Sequence, residues 1–228
     1  MKPQELLIDL HMHTFLSDGD LLPSELVQRC IAAGYSAMAI TDHADQSNLK
    51  FLVESANKIA GEFNSTLASP ICIVPGVELT HVRPSAIRDL IEEARMLGAR
   101  LIVVHGETVV EPVPKGTNRA AIEGGADILA HPGLITREEV ELARDKGVAL
   151  ELTTRKMHGM TNGHVAGLAR EAGAILVVNT DSHSPGDLMT PHMREHVILG
   201  AGLDADYLKK TAENSRLLVN RLMGKILG

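Results

Sequence analysis

Seven short apolar runs alternate with helix-forming stretches along this chain, and that order leaves few folds open. The runs are LLIDL near residue 6, AMAIT at 37, ICIVPGV at 71, LIVV at 101, DILA at 127, VALEL at 148 and ILVVNT at 175. Each reads as a short buried strand. Between them lie PSELVQRCIAAG, QSNLKFLVESANKIAGEF, PSAIRDLIEEARMLG, NRAAIEGG, TREEVELARDKG and NGHVAGLAREAG, which read as helices. Several close on a glycine (Gly34, Gly98, Gly125, Gly147, Gly173), the residue that most easily adopts the left-handed helix stop. Pro23 and Pro84 suit a first helical turn, and Thr136 with Glu139 forms a capping-box pattern. Strands joined through helices lie parallel, and seven such units favour an α/β barrel over an open sheet. No GxGxxG follows the first strand, which counts against a dinucleotide-binding sheet. We read residues 1–228 as one domain, with a helical segment at about 203–225 packing against the barrel.

The remaining composition narrows the partners. With no Trp, two Tyr and three Phe, the core is aliphatic and platforms for base stacking are scarce. A net charge of −7 argues against extended nucleic acid and anionic membranes. Cys30 and Cys72 read as reduced core thiols. Lys2, Glu5 and Asp9 interrupt the only apolar start, and no window is long enough to span a membrane, so a cytoplasmic protein is expected.

Barrel enzymes carry their chemistry where the strands end. Here the first run ends in His11 and His13, with Asp18 soon after; the second ends in Asp42 and His43, the third in Glu78 and the fourth in His105. The fifth ends in His131, the sixth carries Glu151 with Arg155 beyond, and the seventh ends in Asp181 and His183. Six of the eleven histidines thus fall on one edge of the expected barrel, together with carboxylates. Nitrogen and oxygen donors without cysteine suit Zn, Mn or Fe, and the number of donors suffices for two or three divalent ions.

The motifs DLHMHTFLSDG, ITDH, PGVE, VVHGE, LAHPG and NTDSH, in order over residues 9–183, resemble those of the PHP (polymerase and histidinol phosphatase) superfamily. The resemblance implies a distorted seven-stranded (β/α)7 TIM-like barrel with a trinuclear metal site. It would place one ion on His11, His13, Glu78 and Asp181, a second on Glu78, His105 and His131, and a third on Asp18, His43 and His183. Some members carry histidine where this chain has Asp18, and an oxygen donor there shifts preference toward harder metals. Three divalent ions against three carboxylates leave an excess of about +3, a field suited to a phosphate ester. The implied activity is a phosphoesterase acting on a small phosphorylated metabolite, with a histidinol-phosphate-type monoester as one candidate. A metal-bridging hydroxide would attack phosphorus, and Glu78 would bridge two ions. A nuclease or nucleotide phosphatase on short substrates, and a non-catalytic metal-binding or structural PHP domain, are the alternatives. Amidohydrolase barrels also open on an HxH strand, but the strand before His105 lacks their usual bridging lysine.

Other residues near the strand ends divide between roles. Asp9, Thr41 and Asp42 either orient imidazoles or close strand ends; Glu107 is a base, an amine-binding group or a loop carboxylate; and Glu151 faces the pocket or is a buried, paired carboxylate. His81 is a candidate proton donor to the leaving group. Lys115, Arg119, Arg155 and His158, on loops above the same barrel mouth, are candidates for binding substrate phosphate. His164, His192 and His196 read as surface or packing residues.

Overall fold

The computed structural model describes residues 6–65, 70–224 and 227; Lys2 and Glu5 lie outside them. Its strands are β1 (Leu7–Asp9), β2 (Tyr35–Ile40), β3 (His43–Ala44), β4 (Cys72–Leu79), β5 (Leu101–His105), β6 (Ile128–Ala130), β7 (Ala149–Thr153) and β8 (Leu176–Asn179). Seven of them pair in parallel in the order β1-β2-β4-β5-β6-β7-β8, a nearly closed barrel. The two-residue β3 is an addition to the seven runs. It continues past β2 and pairs with the far half of β4, setting His43 opposite Glu78. In β4, residues up to Pro75 pair with β2, and those from Gly76 pair with β5. A Cβ at Gly76 would lie 2.7 Å from the Leu101 carbonyl oxygen, so glycine permits the close approach there. The barrel closes between its first and last strands through a Met12–Ser182 bridge and the Leu10 amide, which donates to Asn179 Oδ1 at 3.0 Å.

Helices α1 (Pro23–Ala32), α2 (Leu49–Asn64), α3 (Pro84–Leu97), α4 (Thr117–Gly124), α5 (Arg137–Lys146) and α6 (Asn162–Ala172) connect successive strands, and α7 (Pro191–Gly200) and α8 (Asp206–Met223) follow β8. The expected stops hold at Gly98, Gly125, Gly147 and Gly173, all left-handed. Thr136 and Glu139 form both bonds of the capping box. None of the described helices is long and apolar enough to cross a membrane.

Strand side chains alternate between two cores, as the two-residue period requires. Met38, Ile40, Ile73 and Val104 pack outward with helix residues such as Leu26 and Ile87. Ala37, Ala39, Val74, Leu101, Val103 and Val177 pack with one another inside the barrel. Leu218 and Val219 of α8 join that inner cluster. The last helix therefore closes the end of the barrel where the strands begin, a sharper role than packing alongside it. Glu78, His105, Glu151 and Asn179 continue the inward phase of their strands, so the inner core turns from apolar to ionisable toward the strand ends.

Candidate metal centre

The inward phase explains how residues far apart in sequence meet. His11 Nε2 lies 3.2 Å from Glu78 Oε1, and His13 Nε2 lies 3.1 Å from Asp181 Oδ1. His131 Nε2 is 3.9 Å from Glu78 and 3.6 Å from Asp181. Asp18 Oδ1 sits 3.4 Å from His43 Nε2 and 3.2 Å from His183 Nε2. His11, Glu78, His13, His131 and Asp181 are all buried, whereas the Asp18 side chain is about half exposed at the rim. His131 falls one residue out of the strand phase, and its left-handed backbone at φ 26° turns it back toward the ring. Asp181 (φ 53°) and His81 (φ 55°) are held the same way, a conformation costing about 1–3 kcal/mol each. The cost implies that the surrounding contacts fix these side chains firmly.

The donor set fits divalent cations. His11 Nδ1 is 2.8 Å from Glu151 Oε2, so the neutral imidazole, the form that binds a metal, donates there and keeps its lone pair on Nε2. That lone pair faces carboxylate oxygens, an arrangement that calls for positive charge between them. His11 Nε2, both nitrogens of His13, Glu78 Oε1, His131 Nδ1 and Asp181 Oδ1 are buried without hydrogen-bond partners. Two donors about 2.1 Å from one ion stand about 3.0–3.4 Å apart, and four His–carboxylate separations of the ring, 3.1–3.4 Å, fall in that range, while His43 Nδ1 and Glu78 Oε2 at 2.6 Å are hydrogen-bonded directly. Donor atoms gather in overlapping groups: His13, Asp18, His43 and His183; His11, His131 and Asp181; His11, His13 and Glu78; Glu78, His105 and His131; and His81, His105 and Glu111.

Without a metal, the carboxylates draw a proton onto His11 in its place. Burial alone would keep His11 neutral, yet Glu151, Glu78 and Asp181 hold its imidazole well above the usual value. Burial and nearby His43 push His13 down to about 4, and burial with His105 holds His131 well below normal. Burial opposes ionisation of Glu78, but His11 and His43 hold it well below the carboxylate range. Asp181 is likewise held low against burial, by His11 and His13. Neutral His13 and His131 beside ionised carboxylates are the forms metal ligands need.

The supporting residues resolve several alternatives. Glu151 is buried and paired and also faces the ring, accepting from His11 Nδ1 at 2.8 Å and from Asn179 Nδ2 at 2.9 Å. Asp9, Thr41 and Asp42 bond no imidazole. Asp9 accepts from the Thr180 hydroxyl and from the His11 amide, and Thr41 exchanges bonds with the Met12 backbone. Asp42 accepts from Thr14 and Ser17 and so ties down the loop that presents Asp18. Glu107 is a loop carboxylate that accepts from the Gly116 and Asn118 amides.

A cavity of about 260 Å³ opens above the ring, lined by Asp18, Thr80, His81, His105, Arg155, His158 and Asp181 among others. Arg155 Nη1 donates to the Asp181 carbonyl at 3.2 Å and lies 2.8 Å from His183 Nδ1. His158 Nδ1 meets the Thr108 hydroxyl at 2.9 Å. Lys115 and Arg119 do not line this cavity; Arg119 pairs with Glu123 on the exposed face of α4. His164 bonds the Ile135 carbonyl, and His192 packs on His196, both away from the ring. Sequence reasoning missed Glu111. Its carboxylate reaches back over the ring to His81, His105 and His158, and His105 chiefly pushes its carboxyl down to about 2. Its one sequence signal is its place on the loop between His105 and Lys115.

Comparison with known proteins adds four findings. A family model described as PHP domain matches residues 9–166. An uncharacterized protein of Methanocaldococcus jannaschii is 47% identical over 204 residues, spanning 89% of this chain and 93% of that protein. The DNA polymerase/3′-5′ exonuclease PolX of Bacillus subtilis is 30% identical over 200 residues, 77% of this chain but only 34% of PolX. Among solved structures, histidinol phosphate phosphatase from Lactococcus lactis, complexed with Zn, L-histidinol and phosphate, superposes with a TM-score of 0.58. That match is 17% identical and covers 87% of this chain and 94% of the other, a likeness of fold.

Proposed function

Because the chain belongs to the PHP domain family, we propose that it is a metal-dependent phosphoesterase hydrolysing a small phosphorylated metabolite, with a histidinol-phosphate-type monoester as the leading candidate. The observation that carries this reading is the buried ring of unpartnered histidine nitrogens and carboxylate oxygens beneath an open polar cavity. In this reading His11, His13, Glu78 and Asp181 hold one ion; Glu78, His105 and His131 hold a second; and Asp18, His43 and His183 hold a third, with His13 close by. The ions are Zn, Mn or Fe, and Asp18 favours the harder choices for the third. When bound, they supply positive charge for phosphoryl oxygens and make water a competent nucleophile near neutral pH.

The chain's own groups do the rest. Arg155 and His158, on the loop after β7, offer N–H donors to phosphoryl oxygens at the cavity wall. His81 stands at the exposed rim, where Nε2 can carry a proton to the leaving oxygen. Glu151 keeps His11 in the tautomer that binds metal. Lys115 and Arg119 are left to long-range attraction of anions. The test is phosphate release from a panel of phosphorylated metabolites by protein loaded with Mn, Zn or Fe. Metal-loaded protein that released no phosphate from any of them would favour the non-catalytic role.

A second reading, hydrolysis of short oligonucleotides or nucleotides, has its own support. A neighbouring cavity of about 430 Å³, lined by Thr154, Lys156, Thr180, Gly186, Asp187 and Met193, shares Arg155 with the first. Two cations at that junction suit a further phosphate. Short end-labelled oligonucleotides in the same panel separate the two readings.

A further inference from the structure

We propose that Glu111 is a metal ligand delivered from a loop to the ion at His105, and that it yields this place to a phosphoryl oxygen of the substrate. The inference rests on the reading of the ring as a metal centre. Glu111 Oε2 lies 3.1 Å from His105 Nε2 and 3.0 Å from His81 Nε2, while Oε1 lies 3.3 Å from His158 Nε2. Among the described residues, no Lys or Arg pairs with it.

The tautomer of His105 shows what the contact needs. Its Nδ1 stands 3.1 Å from the Gly106 carbonyl oxygen, which only accepts, so the ring hydrogen belongs on Nδ1 and Nε2 keeps its lone pair. A lone pair facing a carboxylate oxygen at 3.1 Å needs positive charge between them, a proton in the metal-free protein and a metal ion in its place when one is bound. The separation falls in the range of about 3.0–3.4 Å expected for two donors of one ion. His105 belongs both to the donor group with Glu78 and His131 and to a second group with His81 and Glu111, so it is the residue through which Glu111 reaches the ion.

A catalytic ion must also free a position for its substrate, and the loop is built for that. Its stem is pinned: Glu107 accepts from the Gly116 and Asn118 amides at 2.9 and 3.0 Å, and the Gly106 amide donates to the Ala130 carbonyl. Its tip, with Val109, Glu111 and Pro112, is exposed. A phosphoryl oxygen is the same kind of hard anionic donor as a carboxylate oxygen. Once it displaces Glu111, the Nε2 atoms of His81 and His158 face the phosphoryl group instead. The exchange swaps one oxygen ligand for another, and no covalent bond changes.

Removing the carboxylate therefore acts in opposite directions on metal and on phosphate. Metal-free wild type, Glu111→Gln and Glu111→Ala are titrated with Zn(II) against a chromophoric chelator; the zinc-saturated proteins are then titrated calorimetrically with inorganic phosphate. Thermal unfolding of the metal-free proteins checks that the exposed substitution leaves the fold intact. The expected result is one zinc bound at least tenfold more weakly, the others unchanged, and phosphate bound at least tenfold more tightly. Zinc affinities all within twofold of wild type, or phosphate binding no tighter than wild type, would overturn the proposal. Glu78→Gln is measured in parallel: if it binds zinc as wild type does, the metal-centre reading itself fails, an outcome distinct from a silent Glu111.

Discussion

Glu151→Gln isolates the contribution of a residue that touches no substrate. Glu151 is fully buried, and one of its oxygens accepts from both His11 Nδ1 and Asn179 Nδ2, at 2.8 and 2.9 Å. Glutamine can present its carbonyl oxygen at that position and keep both bonds. What it loses is the negative charge that strengthens the His11 bond and makes Nε2 a better donor. Loss of such an outer carboxylate costs about 10–100-fold in metal affinity, or about 1.4–2.7 kcal/mol. The new amide group falls where Glu151 Oε1 is buried without a partner. Two unbonded N–H groups there cost about 1–3 kcal/mol of stability. The metal-free variant also has one fewer carboxylate crowding Glu78 and Asp181, which offsets part of that cost. Zinc competition titration should therefore show a larger relative loss than thermal unfolding of the metal-free protein. A folded Glu151→Gln protein with zinc affinity within threefold of wild type would refute the assignment of Glu151 as the group that orients His11.

Three other outcomes follow from the same geometry. Chelation should lower the melting temperature, because bound ions stabilise by about 2.7 kcal/mol per site at a hundredfold excess over Kd, and calorimetry with and without EDTA measures the drop. Gly133→Ala should be poorly tolerated: its φ is +63° and a Cβ would lie 1.9 Å from the Glu107 carbonyl oxygen, so backbone must shift beside His131. Urea unfolding should register a loss of about 1–3 kcal/mol, and a neutral result would mean that the loops after β5 and β6 can separate freely. Leu218→Ala should cost about 2–5 kcal/mol in the same assay while leaving zinc stoichiometry intact, since α8 sits at the opposite end of the barrel from the ring.

Period-two patterning made most of this architecture readable in advance. Val74 and Glu78, Val103 and His105, and Ala149 and Glu151 lie on one strand face, so finding the apolar phase also located the ionisable edge. Helix stops at Gly98, Gly125, Gly147 and Gly173 were equally legible, because a left-handed residue is a local requirement. Residues whose placement depends on the path of a loop were not. Glu111 reaches the ring because Glu107 folds the stem back on itself, and no periodicity encodes that. Asp9 and Asp42 sat beside ligands in sequence, but backbone amides and hydroxyls claim their oxygens before any imidazole can. The short β3 escaped notice because two residues carry no pattern; only its pairing with β4 defines it.

The seam of the barrel gives the ring a consequence beyond chemistry. His11 and His13 follow the first strand, Asp181 and His183 follow the last, and these strand ends meet through Met12 and Ser182. An ion shared by His13 and Asp181 would therefore clasp together points separated by nearly the whole barrel sequence. Such a clasp exists only where the two ends of the sheet meet, so parting β1 from β8 must release the ion and forfeit its binding energy. The same ions that activate a substrate would then delay the first parting of the sheet, and hydrogen exchange in β1 and β8 should slow in concert when metal is added.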